Sequence, residues 1–406
     1  MVIPSPLHQR FEQHVAEQAA RVQASVAMAA RPGSTQTAPL VPAVAWIPYG
    51  PDNPEVCVQM AAEFGSPAAE YAAIRRGVGV MDGMHRGTLV VTGADRLTFL
   101  QRMVTQDLQG LLVGGVRESF WLNRKGRVQA DMLLAQGDQH MLIDVDRFAA
   151  AAAASELQAF VFGEDVQIEN ATDAYGRIAL HGAAALALLA SVADGAALAS
   201  DLCCASLCIA QCEVQAVRRD QTGAPGVELF MASANVVAVY DALIAAGAAL
   251  ASPVRPMGWH AFNVARIEAG TPLFLVDFGR EVLPHETGVL ARRVNFKKGC
   301  YLGQEVVARM QSLGKPKQRL VGLRMQSDRL PVCGAVVHIQ TPGGDTIGSI
   351  TSSAPAPMLG SACVAFAMLK YAHSESGACV RVAAEGEWSD AVVQPSLRFL
   401  PVGGAE

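Results

Sequence analysis

What most narrows the folds open to this chain is how its strand-like and helix-like stretches are mixed. Between about residue 65 and residue 314 they intermingle without the strict alternation of a doubly wound sheet, which favours an α+β architecture. Residues 88–92 read as a strand. Leu97, Leu100, Val104 and Leu108 then recur every three or four residues, as on one face of a helix. A meander follows: a strand through Phe120, Trp121 and Leu122, the turn Asn123-Arg124-Lys125-Gly126, a strand over 127–134 with Asp131 on the face opposite Ala130, and a third over 141–145. An Ala-rich helix is predicted over 147–162, strands near 176–181, 206–218 and 226–231, and helices over 234–247 and 257–269. After Lys315-Pro316-Lys317 the pattern changes to short strands between Gly, Pro, Ser and Asp turns, as in a small antiparallel barrel.

With 406 residues, 51% of them hydrophobic and 17% charged, the chain has material for two or three packed units. The expected division is an Ala-rich N-terminal extension over 1–45, partly disordered and outside the core; a body over 46–314; and a barrel over 315–406. A net charge of -5 argues against a general grip on nucleic acid, and Lys315, Lys317 and Arg319 form only a small basic cluster. No apolar run reaches the ~18–20 residues of a membrane span. Pro4, Pro6, His8, Arg10 and Glu12 interrupt any signal-peptide core, and Glu12 and Glu17 count against a transit peptide. Nine cysteines without secreted-type spacing read as reduced thiols of a cytosolic protein.

The segment richest in chemistry is Lys298-Gly299-Cys300-Tyr301-Leu302-Gly303-Gln304-Glu305. Lys297 and Lys298 precede a cysteine, and a helix is predicted to begin near Gly303 and end at Gly314. Nearby positive charge and unpaired N–H groups at a helix start both favour a thiolate at Cys300. The plainer alternative is a buried cysteine in a turn. Cys203, Cys204, Cys208 and Cys212 have neither zinc nor iron–sulfur spacing and read as thiols of a strand; no metal site is expected.

The octapeptide resembles the signature K-G-C-[FY]-x-G-Q-E of the YgfZ proteins, a branch of the glycine-cleavage T-protein superfamily. The runs Arg266-Ile267-Glu268-Ala269-Gly270, Pro284-His285-Glu286-Thr287-Gly288 and Gly223-Ala224-Pro225-Gly226-Val227-Glu228 are similar to superfamily motifs, as is Gly93-Ala94-Asp95 with Phe99-Leu100. The resemblance covers roughly residues 70–402. It implies a T-protein-like body with a C-terminal β-barrel and a reduced folate such as tetrahydrofolate as ligand. Glu228 would hold the pterin edge, since a carboxylate can accept two N–H bonds. Arg266, Gly303, Gln304 and Glu305 would support binding, and Cys300, Lys298 and Asp131 would form the reactive set. It further implies work in the assembly or repair of iron–sulfur enzymes, with client proteins or cluster-assembly factors as partners and, in some members, a link to tRNA thiolation. The compartment would be the bacterial cytoplasm, or the mitochondrion in a eukaryote.

The chain departs from the T-protein enzyme, which moves a one-carbon unit to tetrahydrofolate and releases ammonia. Where that enzyme has adjacent acids, this chain has Ala130 and Asp131. Its D-x-S-H-M-G element stands here as Asp82-Gly83-Met84-His85-Arg86-Gly87, without the serine. Aminomethyl transfer is therefore the alternative function, and a folate-binding scaffold without chemistry is a third.

Overall fold

A computed structural model of the chain describes residues 2–29, 43–51, 56–195, 198–340 and 344–401. Two sheets of the body face each other. A five-stranded sheet has the order Val116–Leu122, Val128–Gln136, His140–Asp146, Arg86–Thr92, Gln167–Asn170. A seven-stranded sheet runs Ala193–Gly195, Cys204–Ile209, Cys212–Arg218, Gly226–Ala232, Tyr175–His181, Val78–Asp82, Val254–Pro256, antiparallel except at its last pair. Leu133, Ala135 and Leu142 of the first sheet meet Val217 and Phe230 of the second in one buried cluster. The outer faces carry helices. Arg147–Gln158 covers the five-stranded sheet, started by Asp146, whose carboxylate accepts from Phe148 N at 2.8 Å. Val236–Gly247 covers the seven-stranded one.

The C-terminal part is a closed six-stranded antiparallel barrel, Gln318–Met325, Ala362–Lys370, Thr346–Ala356, Val336–Ile339, Cys379–Ala384 and Glu387–Val393. Closure removes unpaired edges. The barrel meets the body through the helix Trp259–Ala269, which ends at Gly270 with φ 77°. A Cβ there would lie 2.5 Å from Arg398 N, so only glycine lets the tail pass this close.

The N-terminal extension differs from expectation. The helix His8–Ala29 is no appendage: Leu7, Phe11, Val15 and Ala19 recur every fourth residue and are all buried. Phe11 packs edge-on against Phe64 at 4.8 Å and Tyr240 at 5.6 Å. Ahead of it, Val2–Ile3 pairs in parallel with Cys57 and Val58 in a small three-stranded sheet. The expectation of disorder falls mainly on residues 30–42, outside those described. A second difference is at 206–218, read as a single strand. The chain turns there at Ala210 and Gln211, both at positive φ (51° and 61°), making a hairpin. The usual Asn-Gly signal for such a turn is missing. Cys204 is buried in that hairpin, and Cys203, Cys208 and Cys212 are half-buried.

Candidate functional site

Charged side chains are concentrated between the two sheets, where isolated charges would be costly. They occur as a ladder of pairs. Arg293 holds Asp131 with both Nε (2.6 Å) and Nη2 (3.2 Å) and donates to Glu118. Arg219 bridges Glu118 (3.1 Å) and Asp144 (3.3 Å). Asp144 also accepts from Arg177 and, as a bidentate pair, from Arg86 at 2.9 and 2.7 Å. Arg177 ends the ladder on Glu228 at 3.1 Å and lies 4.1 Å over the Phe230 ring. Burial opposes ionisation of Glu118, but Arg293, Arg219 and Arg292 outweigh it and pull its carboxyl down to about 2. In the same contest Arg177 and Arg86 hold Asp144 well below the usual carboxylate range. Asp131 and Glu228, predicted from different motifs, are thus two ends of one buried network.

Glu228 stands on the strand Gly226–Ala232. Its neighbour Tyr175–His181 is in register with Ala179 opposite Glu228 and His181 opposite Gly226, so Arg177, His181 and Glu228 share a face. Glu228 is 5% exposed. In the amide orientation that satisfies both neighbours, Gln221 donates to Glu228 Oε1 at 3.1 Å and accepts from Arg219. Arg177 and Gln221 then take two of the carboxylate's roughly four acceptor positions, leaving room for two further N–H groups. Near it His181 Nδ1 is buried without a hydrogen-bond partner, as are Thr222 Oγ1, next in sequence to Gln221, and the more distant His85 Nδ1. Phe262 lies between the two imidazoles, 5.2 Å from His181 and 6.2 Å from His85, with Trp259 and Tyr49 beyond. Burial lowers the pKa of both histidines, so each presents a neutral ring near pH 7. A buried carboxylate with spare acceptors, orphaned polar atoms and flat aromatic faces fit the N–H-bearing edge and ring of a pterin.

The octapeptide lies elsewhere. Lys298 is buried, and its Nζ donates to the carbonyls of Gln101, Val104 and Gln106 at 2.7, 2.7 and 2.8 Å. Burial pulls its pKa down to about 8, yet all three ammonium protons have acceptors. In this geometry Lys298 pins the loop. Gly303, at φ 81°, precedes the helix Gln304–Leu313 and packs on the meander turn, where a Cβ would come 2.6 Å from Asn123 O. Gln304 is half-buried and Glu305 exposed, and neither side chain bonds to the ladder among the described residues. Cys300 is exposed. One loop thus carries Arg293 into the ladder and, seven residues on, Cys300 to the surface.

Arg266 sits at the junction of body and barrel. Its fully buried guanidinium is spent on Asn263 (2.9 Å), Asp277 (2.5 Å), Thr271 O and Ser352 of the barrel (2.7 Å). The ladder members Glu118, Asp144, Arg177, Arg219 and Arg293 were not singled out from the sequence. A lone charge inside an apolar strand, such as Asp144 after Leu142-Ile143 or Arg177 before Ile178-Ala179, was the available signal. Among the described residues, no group of three or more His, Cys, Asp or Glu side chains is placed to hold a metal ion. None of the described helices is long and apolar enough to cross a membrane.

Fold and interior together define a class: an α+β body closed by an antiparallel barrel around a sealed polar core. Residues 45–298 match the GCVT N-terminal domain and residues 318–399 the glycine cleavage T-protein C-terminal barrel domain. The chain belongs to this glycine-cleavage T-protein family. It is 30% identical to an aminomethyltransferase of Saccharopolyspora erythraea over 81% of its own length and 88% of that protein's. It is also 30% identical to one of Exiguobacterium sibiricum, covering 78% and 86%. The crystal structure of the glycine cleavage system aminomethyltransferase T from Bartonella henselae superposes with a TM-score of 0.74 at 24% identity, over 84% of this chain and 92% of that one. Proteins of the family use tetrahydrofolate.

Proposed function

We propose that this chain binds a reduced folate with Glu228 as its pterin ligand, and that Cys300, not a pair of acids, is the group through which it acts in support of iron–sulfur enzymes. What carries the folate reading is Glu228: a buried carboxylate with two acceptor positions to spare, near the unpartnered His181 Nδ1. When bound, tetrahydrofolate supplies a one-carbon carrier. The chain's part is to orient it, with Glu228 accepting from the pterin edge and Phe262 and Trp259 excluding water. Asp131 is held by Arg293 through both its oxygens, and the neighbouring Ala130 offers no second acid. Cys300 is open to solvent.

A second reading is transfer of an aminomethyl group to tetrahydrofolate, and the names of the curated relatives favour it. Calorimetric titration of tetrahydrofolate into wild type and Glu228→Gln tests the shared part. Losing a charge-assisted pair costs on the order of 1.5–3 kcal/mol, and equal affinities would take Glu228 out of the site. Ammonia release from an aminomethylated lipoyl carrier separates the two readings. Turnover within roughly 1–1000 per second would install the second.

A further inference from the structure

The loop that carries Glu228 into place is held from outside by residues that never touch a pterin. Two side chains tether its backbone carbonyls. Thr271 Oγ1 donates to Gln221 O at 2.7 Å, and Arg75 Nη1 donates to Thr222 O at 2.7 Å. The same arginine donates from Nη2 to Glu268 Oε2 at 2.6 Å and from Nε to the Tyr71 hydroxyl at 2.9 Å. Tyr71 in turn donates to Glu268. Glu268, fully buried, faces the barrel with everything it has left. Oε1 accepts from Met358 N at 3.0 Å, and its main-chain carbonyl accepts from Phe399 N at 2.9 Å and Leu400 N at 3.0 Å. Met358 lies in the turn Pro357–Leu359 between two barrel strands, and Phe399 and Leu400 lie in the tail after the last one.

A steric contact repeats the link. Gly223, at the tip of the loop with φ 74°, bears on the tail so closely that a Cβ would meet Leu400 Cδ1 at 2.6 Å. The loop therefore has hydrogen bonds on one side and a hard stop on the other, and both lead to the barrel.

We propose that Arg75 and Glu268 are positioning residues that lock the Glu228 loop to the C-terminal barrel, so that barrel docking sets the affinity for the pteridine. The inference rests on the folate reading above and extends it. Among the described residues, Arg75 is the one side chain that hydrogen-bonds to both the loop and Glu268, so the lock fails if its fork is broken. A lysine in its place keeps the charge but cannot reach Thr222 O, Tyr71 and Glu268 together. Coupling of this kind is reciprocal: pteridine binding must steady the barrel contacts as much as they steady the loop.

The test uses the full chain, with tetrahydrofolate as probe. Its dissociation constant is measured by calorimetry for wild type, Arg75→Lys, Leu400→Ala and Glu228→Gln, and amide hydrogen exchange is followed with and without ligand. Arg75→Lys is expected to weaken binding about tenfold, as for loss of one charge-assisted bond. In wild type, ligand slows exchange at residues 358–359 and 399–400; in Arg75→Lys that ligand-dependent protection disappears. Leu400→Ala, which removes the stop on Gly223 and no hydrogen bond, weakens binding in the same direction and stands in should Arg75→Lys fail to fold. Wild-type affinity in Arg75→Lys or Leu400→Ala, with Glu228→Gln impaired, overturns the lock alone. So does a barrel whose exchange ignores the ligand. If Glu228→Gln binds as wild type does, the folate reading falls and the lock with it.

Discussion

Removing the Phe11 ring discriminates between an N-terminal helix that belongs to the core and one that is merely attached. Phe11 has no accessible surface and touches three aromatic rings: Phe64 at 4.8 Å, Tyr240 at 5.6 Å and Trp46 at 6.1 Å. Phe→Ala at a site that cannot collapse costs about 3–5 kcal/mol, made up of lost transfer energy and the cavity left behind. Collapse does not soften this, because Phe64 follows the strand Cys57–Glu63 and is tied through its N–H to Glu70 at 2.7 Å, while Tyr240 stands on the helix Val236–Gly247. Chemical unfolding followed by tryptophan emission is a suitable assay. Trp46 stacks on His8 at 4.5 Å and donates to Glu12 at 2.9 Å, so it reports directly on this helix. Phe11→Ala should lower the free energy of the transition that Trp46 senses by about 3–5 kcal/mol, whereas the exposed Glu17→Ala stays within roughly 0.5 kcal/mol of wild type. If Phe11→Ala also stays within roughly 0.5 kcal/mol, the helix contributes no packing energy and the reasoning is wrong.

Other outcomes follow from the interior and from the cysteine loop. Arg293→Met strands Glu118 and Asp131 without their main partner and should cost about 3–5 kcal/mol in the same unfolding assay; a loss below about 1 kcal/mol would mean that Arg219 and Arg292 suffice for Glu118. Burial raises the Asp82 carboxyl to about 7, against the opposing effects of Ser5 and Arg147. The folded state therefore holds this proton more tightly than the unfolded chain, and the associated stability is full below about pH 4 and lost as the pH rises through about 7. Asp82→Asn does not titrate, so its stability relative to wild type should climb by up to about 1.4 kcal/mol per pH unit across that window; a difference independent of pH refutes the assignment. Cys300 follows Lys297 and stands just before the helix Gln304–Leu313. Mass-mapped alkylation at pH 7 should label it faster than Cys333 and Cys379, which are also exposed, and equal rates would confine its role to binding.

Much of the fold was legible because it is written in short-range patterns. The meander around Gly126, the helix after residue 95 and the change to barrel strands after Lys317 all carry local periodicity and turn residues. The N-terminal helix was misjudged for a different reason. Its apolar stripe Leu7, Phe11, Val15, Ala19 is visible, but the surface it covers comes from residues 64 and 240, and no local pattern states that pairing. The site divides in the same way. Asp131 and Glu228 could be named from motifs, and each sits in the buried network. The arginines that hold them could not, because a guanidinium becomes part of a site only through the partner that folding brings to it. Lys298 makes the converse point: beside a cysteine in sequence it reads as chemistry, and in space it fastens three carbonyls.

The place where the N-terminal helix docks has a consequence for how the chain is made. Arg10 bonds to Asp241 at 2.8 Å, a contact that spans 231 residues. At about 5–20 residues per second, a ribosome needs on the order of 10–50 seconds after releasing the helix to deliver the surface that receives it. Throughout that interval the stripe of Leu7, Phe11 and Val15 lacks the part of its partner surface that carries Tyr240, so the nascent chain keeps an incompletely covered apolar stripe. Factors that bind emerging hydrophobic segments would be expected to meet this protein at the stripe of residues 7–19, well before Glu228 is made.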